Sequence, residues 1–143
     1  MILLDTNVIS ELMRPSPSAV VLAWMQALSP IDLATTTITV AELRAGLAVL
    51  PEGVRRRDLL ARLETLLQQG FGPRIFAFDN AAAGVYGELF AQRQRAGRPV
   101  IGFDLLIASV AQSQGFSIAT RNVDDFDGCG VAVIDPWAEA APA

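Results

Sequence analysis

Met1-Ile2-Leu3-Leu4-Asp5-Thr6-Asn7-Val8-Ile9-Ser10-Glu11 is the stretch on which the fold turns. Three apolar residues, Ile2 to Leu4, read as a short strand apolar on both faces, and Asp5 ends it. Strands of that kind belong to parallel sheets covered by helices on both sides. Further runs repeat the alternation of strand-like and helix-like patterns, the signature of an α/β protein. Helical spacing is expected over 7–13 and 18–28, with Pro15, Pro17 and Pro30 as breaks. Residues 32–36 read as a second strand. Residues 39–50 read as a helix opening on Thr39-Val40-Ala41-Glu42, the spacing of a capping box. Pro51 is expected to start the next helix and Gly70 to close it. Strands are then expected at 75–78, 117–120 and 131–134, with helices at 80–96 and 103–114, the last ended by Gly115.

The 143 residues suit one domain, 1–138, with a short tail at 139–143. No apolar run approaches the roughly 20 residues of a membrane helix. The start has no basic stretch and carries an acid at position 5, unlike a signal peptide. A single cysteine, Cys129, allows no intrachain disulfide, which points to a reducing cytoplasm.

Histidine is absent, so Ser–His–Asp and Cys–His mechanisms and histidine-rich zinc sites are excluded. Lysine is also absent, since all 11 basic residues are arginine. That removes chemistry based on a phosphate-binding lysine or a Schiff base. Carboxylates, hydroxyls, amides and arginine remain. Carboxylates gathered in one place repel one another unless a hard cation lies among them, and oxygen donors suit Mg2+ or Mn2+. A net charge of −4 argues against a passive nucleic-acid binder. It argues less against a nuclease whose acids are neutralised by metal. Arg55-Arg56-Arg57 and Arg62 offer a local basic face, although a solvated helix surface is their default meaning.

On this frame Asp5 ends the first strand, Glu42 sits in the first turn of the helix after the second, and Asp104 begins the apolar helix before 117–120. Thr120, Asn122, Asp124 and Asp125 follow that strand. Ligands of open α/β sheets bind beyond the carboxyl ends of the strands, so these groups are expected to converge on one rim. Each acid also has a plain structural reading. Asp5 or Asn7 caps a helix, Glu42 completes a capping box, and Asp104 complements a helix N-terminus.

Four blocks in order tip the balance: the opening stretch, Ile38-Thr39-Val40-Ala41-Glu42-Leu43-Arg44-Ala45-Gly46, Asp104-Leu105-Leu106-Ile107-Ala108, and Ala119-Thr120-Arg121-Asn122-Val123-Asp124-Asp125-Phe126. With a closing Asp135-Pro136-Trp137, they resemble the PIN-domain ribonucleases almost end to end, and in particular the VapC-like toxins of the FitB-like branch. The resemblance implies a three-layer α/β/α fold around a mostly parallel sheet of about five strands. It implies a Mg2+- or Mn2+-dependent ribonuclease, the toxin of a type II toxin–antitoxin pair, in which water attacks the phosphodiester. Asp5, Glu42 and Asp104 match the family's metal-binding acids, and its fourth position falls on Asn122, an amide without charge. Asp5 and Asp104 are expected to bind the ion directly, Glu42 and Asn122 through water, with Asp125 a further candidate ligand. Thr6 and Thr120 match supporting hydroxyls, and Arg44 and Arg121 are candidates for RNA phosphate.

The implied partners are a cognate antitoxin whose arginine enters the acidic pocket, an RNA substrate and a second copy of the chain. DNA is reached only through the antitoxin. The alternative is a catalytically silent PIN-like module that binds or regulates through its antitoxin. Phosphatases and receiver domains that also place an aspartate after the first strand need a lysine, and the phosphatases need a second acid where Asn7 stands.

Overall fold

A computed structural model describes residues 1–99 and 102–138. Five strands form one sheet: β1 (Ile2–Leu4), β2 (Leu33–Thr36), β3 (Ile75–Phe76), β4 (Ser117–Ala119) and β5 (Val133–Ile134). Their spatial order is β3-β2-β1-β4-β5 and every pairing is parallel. Chain order runs outward from β1 in one direction and restarts at β4 in the other. The gap between the ends of β1 and β4 is therefore the topological switch point, where open α/β sheets hold ligands.

Seven α-helices connect the strands among the described residues: α1 (Thr6–Leu12), α2 (Ala19–Gln26), α3 (Thr37–Ala48), α4 (Val54–Thr65), α5 (Asn80–Arg95), α6 (Asp104–Gln114) and α7 (Val123–Phe126). Successive strand side chains point to opposite faces, and the two central strands show it directly. Leu3 and Ile118 enter a core with Leu89 of α5, Ile107 of α6 and Phe126 of α7. Leu4 and Ala119 enter the other core, with Ile9 of α1, Trp24 of α2, Leu43 of α3 and Leu63 of α4. The result is the expected three-layer α/β/α arrangement.

Several boundaries differ from expectation. Helix α3 starts at Thr37, not Thr39. Its N-cap is Thr36, whose Oγ1 accepts from the Thr39 amide at 3.0 Å, while Thr39 itself is buried. No capping box is formed by Thr39 and Glu42, so Glu42, in the second turn, is free for another role. Pro51 does not open α4. Gly53 precedes it in a backbone conformation essentially restricted to glycine. Gly70 does not close it either, because a π-helical stretch (Leu66–Phe71) continues the chain, with the Gly72 amide bonded to the Leu67 carbonyl at 3.0 Å. Strands β3 and β5 are shorter than the runs 75–78 and 131–134, and a 3-10 turn (Pro30–Asp32) and α7 had no signal in the periodicity. Gly115 does end α6, in the left-handed conformation at φ 73°. The expected tail at 139–143 lies outside the described residues.

Replacing Thr36 by Ala should therefore cost about 1 kcal/mol in denaturant unfolding. Replacing Glu42 by Gln should show no such loss, as it caps nothing.

Candidate functional site

Asp5 leaves β1 at the switch point with only 2% of its surface exposed. Its amide donates to the Ala119 carbonyl of β4 at 3.0 Å, which pins the two central strands together at their ends. Its carboxylate accepts from the Thr6 amide at 2.8 Å, from Thr120 Oγ1 at 2.8 Å and from Asn7 Nδ2 at 3.4 Å. Asp5 is thus the N-cap of α1 as well as the deepest acid of the site.

Thr120 follows β4 and is wholly buried. Besides donating to Asp5, its hydroxyl oxygen accepts from Asn7 Nδ2 at 3.2 Å and from the Asn122 amide at 3.0 Å. Asn7 completes the brace, since its Oδ1 accepts from the Arg121 amide at 3.1 Å. Sequence reasoning offered Asn7 only as a cap. Its place two residues after the strand-ending Asp5 was the one available signal that it shares the site.

Glu42 approaches from α3, where its Oε1 accepts from Thr6 Oγ1 at 2.9 Å. Thr6 is therefore hydrogen-bonded to the neighbouring acid, as Thr120 is to Asp5. Asp104 enters from the first turn of α6 and makes no capping bond there. Its carboxyl is pushed up to about 7, first by burial, then by the Asp5 charge, by a close approach of the Asp125 carboxyl and by Glu42. Burial likewise raises Asp5 and Glu42, against the hydrogen bonds that lower them, and Asp125 and Asp5 respectively add repulsion. The structure thus brings Asp5, Glu42 and Asp104 within mutual electrostatic reach, with Asp125 as a fourth charge.

Asn122 lies at the entrance to α7, exposed, and its side chain makes no capping bond. Of Asp124 and Asp125, the two acids that follow Asn122, Asp125 is the one whose charge is felt by both Asp5 and Asp104. Arg44 is taken up by an ion pair with Glu64 of α4 at 2.6 Å. Arg121 lies over the Trp137 ring, 4.8 Å from its centroid. Arg62 donates to the Met13 carbonyl at 2.8 Å, a structural tie between α4 and the end of α1.

The donor set is all oxygen, which suits Mg2+ or Mn2+. Among the described residues no three acidic, histidine or cysteine side chains are gathered closely enough to ligate one ion together. Magnesium takes only one or two carboxylates directly and keeps several waters, so a looser group of acids fits it. Beside the acids, a groove of about 690 Å³ runs between α1, α3 and α4. Met13, Leu43, Leu47 and Leu59 supply apolar lining, and Thr6 and Glu42 belong to the same wall.

The raised Asp104 carboxyl has a defined consequence for stability. Between its ordinary value of 3.8 and about 7, the folded chain holds a proton that the unfolded chain has released. Stability from this group is therefore present at low pH and is lost as pH rises through that window. In chelator-treated protein, Asp104→Asn should melt progressively higher than the wild type as pH rises from 4 to 7, by about 2–4 °C per kcal/mol of relieved repulsion. A difference in melting temperature that is independent of pH would contradict the assignment.

The PIN domain family matches residues 2–128. The plasmid stability protein StbB of Pseudomonas syringae pv. tomato is 46% identical over 137 residues, covering 96% of this chain and 99% of that protein. VapC ribonuclease Y4jK of Sinorhizobium fredii is 42% identical, covering 98% and 100%. The crystal structure of FitAcB from Neisseria gonorrhoeae contains a chain that superposes with a TM-score of 0.91 at 40% identity, covering 97% of this chain and all of that one. Sheet order, the buried aspartate at the switch point and these likenesses agree, and the chain belongs to the PIN-domain family.

Proposed function

We propose that this chain is a Mg2+- or Mn2+-dependent ribonuclease that serves as the toxin of a type II toxin–antitoxin pair. The observation that carries the reading is the set of acids at the β1–β4 switch point, where burial first and then mutual repulsion push Asp104 up to about 7. A divalent cation relieves that repulsion. The ribonuclease name of a relative 42% identical over nearly the whole of both chains supports the same activity.

Asp5 and Asp104 would hold the ion, with Glu42 and Asn122 orienting waters around it and Asp125 adding charge. A bound divalent ion would lower the pKa of water and stabilise charge developing on the phosphoryl group. The chain supplies the rest. Thr120, Thr6 and the Thr6 amide hold the carboxylates of Asp5 and Glu42 in place. With no histidine present, proton transfer falls to carboxylates and solvent. Arg121, braced on Trp137, is the better placed of the two arginines for substrate phosphate, because Arg44 is already paired.

The partner in this reading is a cognate antitoxin, as in the FitAB complex bound to a DNA fragment, whose matching chain is 38% identical with a TM-score of 0.91. The apolar groove beside Glu42 suits a helix or extended segment of that antitoxin, and the acids suit an arginine carried at its end. A homodimer, cytoplasmic action and contact with DNA only through the antitoxin complete the proposal. No described helix is long and apolar enough to cross a membrane.

The purified chain should cleave RNA with Mn2+ or Mg2+ and stop when the metal is chelated. Millimolar Mn2+ should raise its melting temperature, and Asp5→Asn should abolish both effects. Thr120→Val, which keeps the shape and removes the hydroxyl, should weaken metal binding or activity by about 10–100-fold. In cells, the chain alone should slow growth and Asp104→Asn should relieve it; equal growth inhibition by both would refute the site.

A further inference from the structure

Helix α7 is four residues long, and its first turn carries Asp124 and Asp125. A helix that short does not hold itself in water, so its position beside Asp104 is imposed from outside. Two contacts impose it. Phe126 is fully buried in the core formed with α5 and α6. The second is Arg93, on α5, which is only 7% exposed.

The Arg93 guanidinium reaches 32 to 34 residues along the chain. Its Nη2 donates to the Asp125 carbonyl at 3.2 Å, and its Nη1 donates to the Asp127 carbonyl. These oxygens belong to the end of α7, where a helix lacks internal donors and carries partial negative charge. The planar fork of arginine matches two neighbouring acceptors in a way an ammonium does not. Arg98 adds an exposed pair to the Asp127 carboxylate at 3.2 Å. Burying a guanidinium is costly unless its donors are used; here Nη1 and Nη2 are used on one turn, while the buried Nε has no partner among the described residues. That turn follows Asn122, whose amide donates to Thr120 Oγ1 at 3.0 Å, and Thr120 in turn donates to the Asp5 carboxylate at 2.8 Å, so α7 is joined to the acidic site at its start.

We propose that Arg93 is a positioning residue for the acidic site: it clamps the end of α7 so that the Asp125 carboxylate stands beside Asp104, on the side Asn122 leaves uncharged. The role rests on the metal-dependent reading above. It is indirect, since the guanidinium holds backbone oxygens and touches none of the acidic side chains.

Two measurements test it on the full chain. Amide hydrogen exchange over residues 122–127 should quicken by about 10-fold or more in Arg93→Gln, with α3 unchanged, and Arg93→Lys should fall between this variant and the wild type. If Arg93→Gln does not fold, the lysine variant carries the comparison with wild type. Mn2+ affinity, measured by titration calorimetry, should weaken about 10-fold in Arg93→Gln. The same substitution should add nothing in an Asp125→Ala background, because the two residues act through one another. Unchanged exchange over 122–127, unchanged Mn2+ affinity, or equal weakening with and without Asp125 would each overturn the role of Arg93 while leaving the proposed function standing. No Mn2+ binding by the wild-type chain would overturn the proposed function and this role with it.

Discussion

Strand β1 is three residues long and is hydrogen-bonded in parallel on both sides, to β2 and to β4. That double pairing leaves its backbone no solvent-facing edge, so Leu3 and Leu4 each feed one of the two cores and Asp5 emerges at the end of a fully enclosed strand. A carboxylate placed there loses most of its water. The protein satisfies it with the Thr6 amide, Thr120 and Asn7, a brace that also ties α1 to the segment after β4. Fold and site thus share one anchor. The hydrogen bonds that make a buried Asp5 tolerable also define where the other acids meet it.

Those other acids arrive from separate layers. Glu42 comes from α3 on one face of the sheet, Asp104 from α6 on the other, and both reach the rim at the switch point. Their burial and mutual repulsion push the Asp104 carboxyl up to about 7, so gathering these acids costs stability at neutral pH. Buried polar groups retained at a stability cost are a common mark of a working site. The bracing is uneven: Asp5 and Glu42 are hydrogen-bonded by hydroxyls, whereas Asp125 depends on a short helix held by Phe126 and Arg93.

The fold was largely legible in the sequence because a buried parallel sheet leaves a simple pattern. Ile2 to Leu4 and the glycine after α6 read correctly, since each depends on neighbours in the chain. The misread boundaries have local causes of another kind. Thr36 and Thr39 are equally good caps by type, and only the direction in which β2 delivers the chain makes Thr36 the cap and buries Thr39. Gly70 is a good terminator by type, yet the helix widens into a π turn and passes through it, with the Gly70 carbonyl held by Arg74 at 2.7 Å.

By itself the sequence determined the chemistry available: without histidine or lysine, only carboxylates, hydroxyls, amides and arginine can serve a site at the strand ends. It also put Asp5, Glu42 and Asp104 near strand ends and helix starts, and the resemblance of the four blocks around them to the PIN-domain family, more than any period, singled them out. Tertiary structure alone decided how those acids meet and what steadies them. The partnership of Thr6 with Glu42 spans 36 residues, that of Thr120 with Asp5 spans 115, and the reach of Arg93 to α7 spans 32 or more. Such pairings arise only when the parallel sheet brings its strands and their helices together, β4 beside β1 for Thr120 and Asp5 and α1 beside α3 for Thr6 and Glu42, and no local periodicity encodes them. For the same reason Asp125, one of two adjacent acids in sequence, is distinguished from Asp124 only by the turn that faces it toward Asp104.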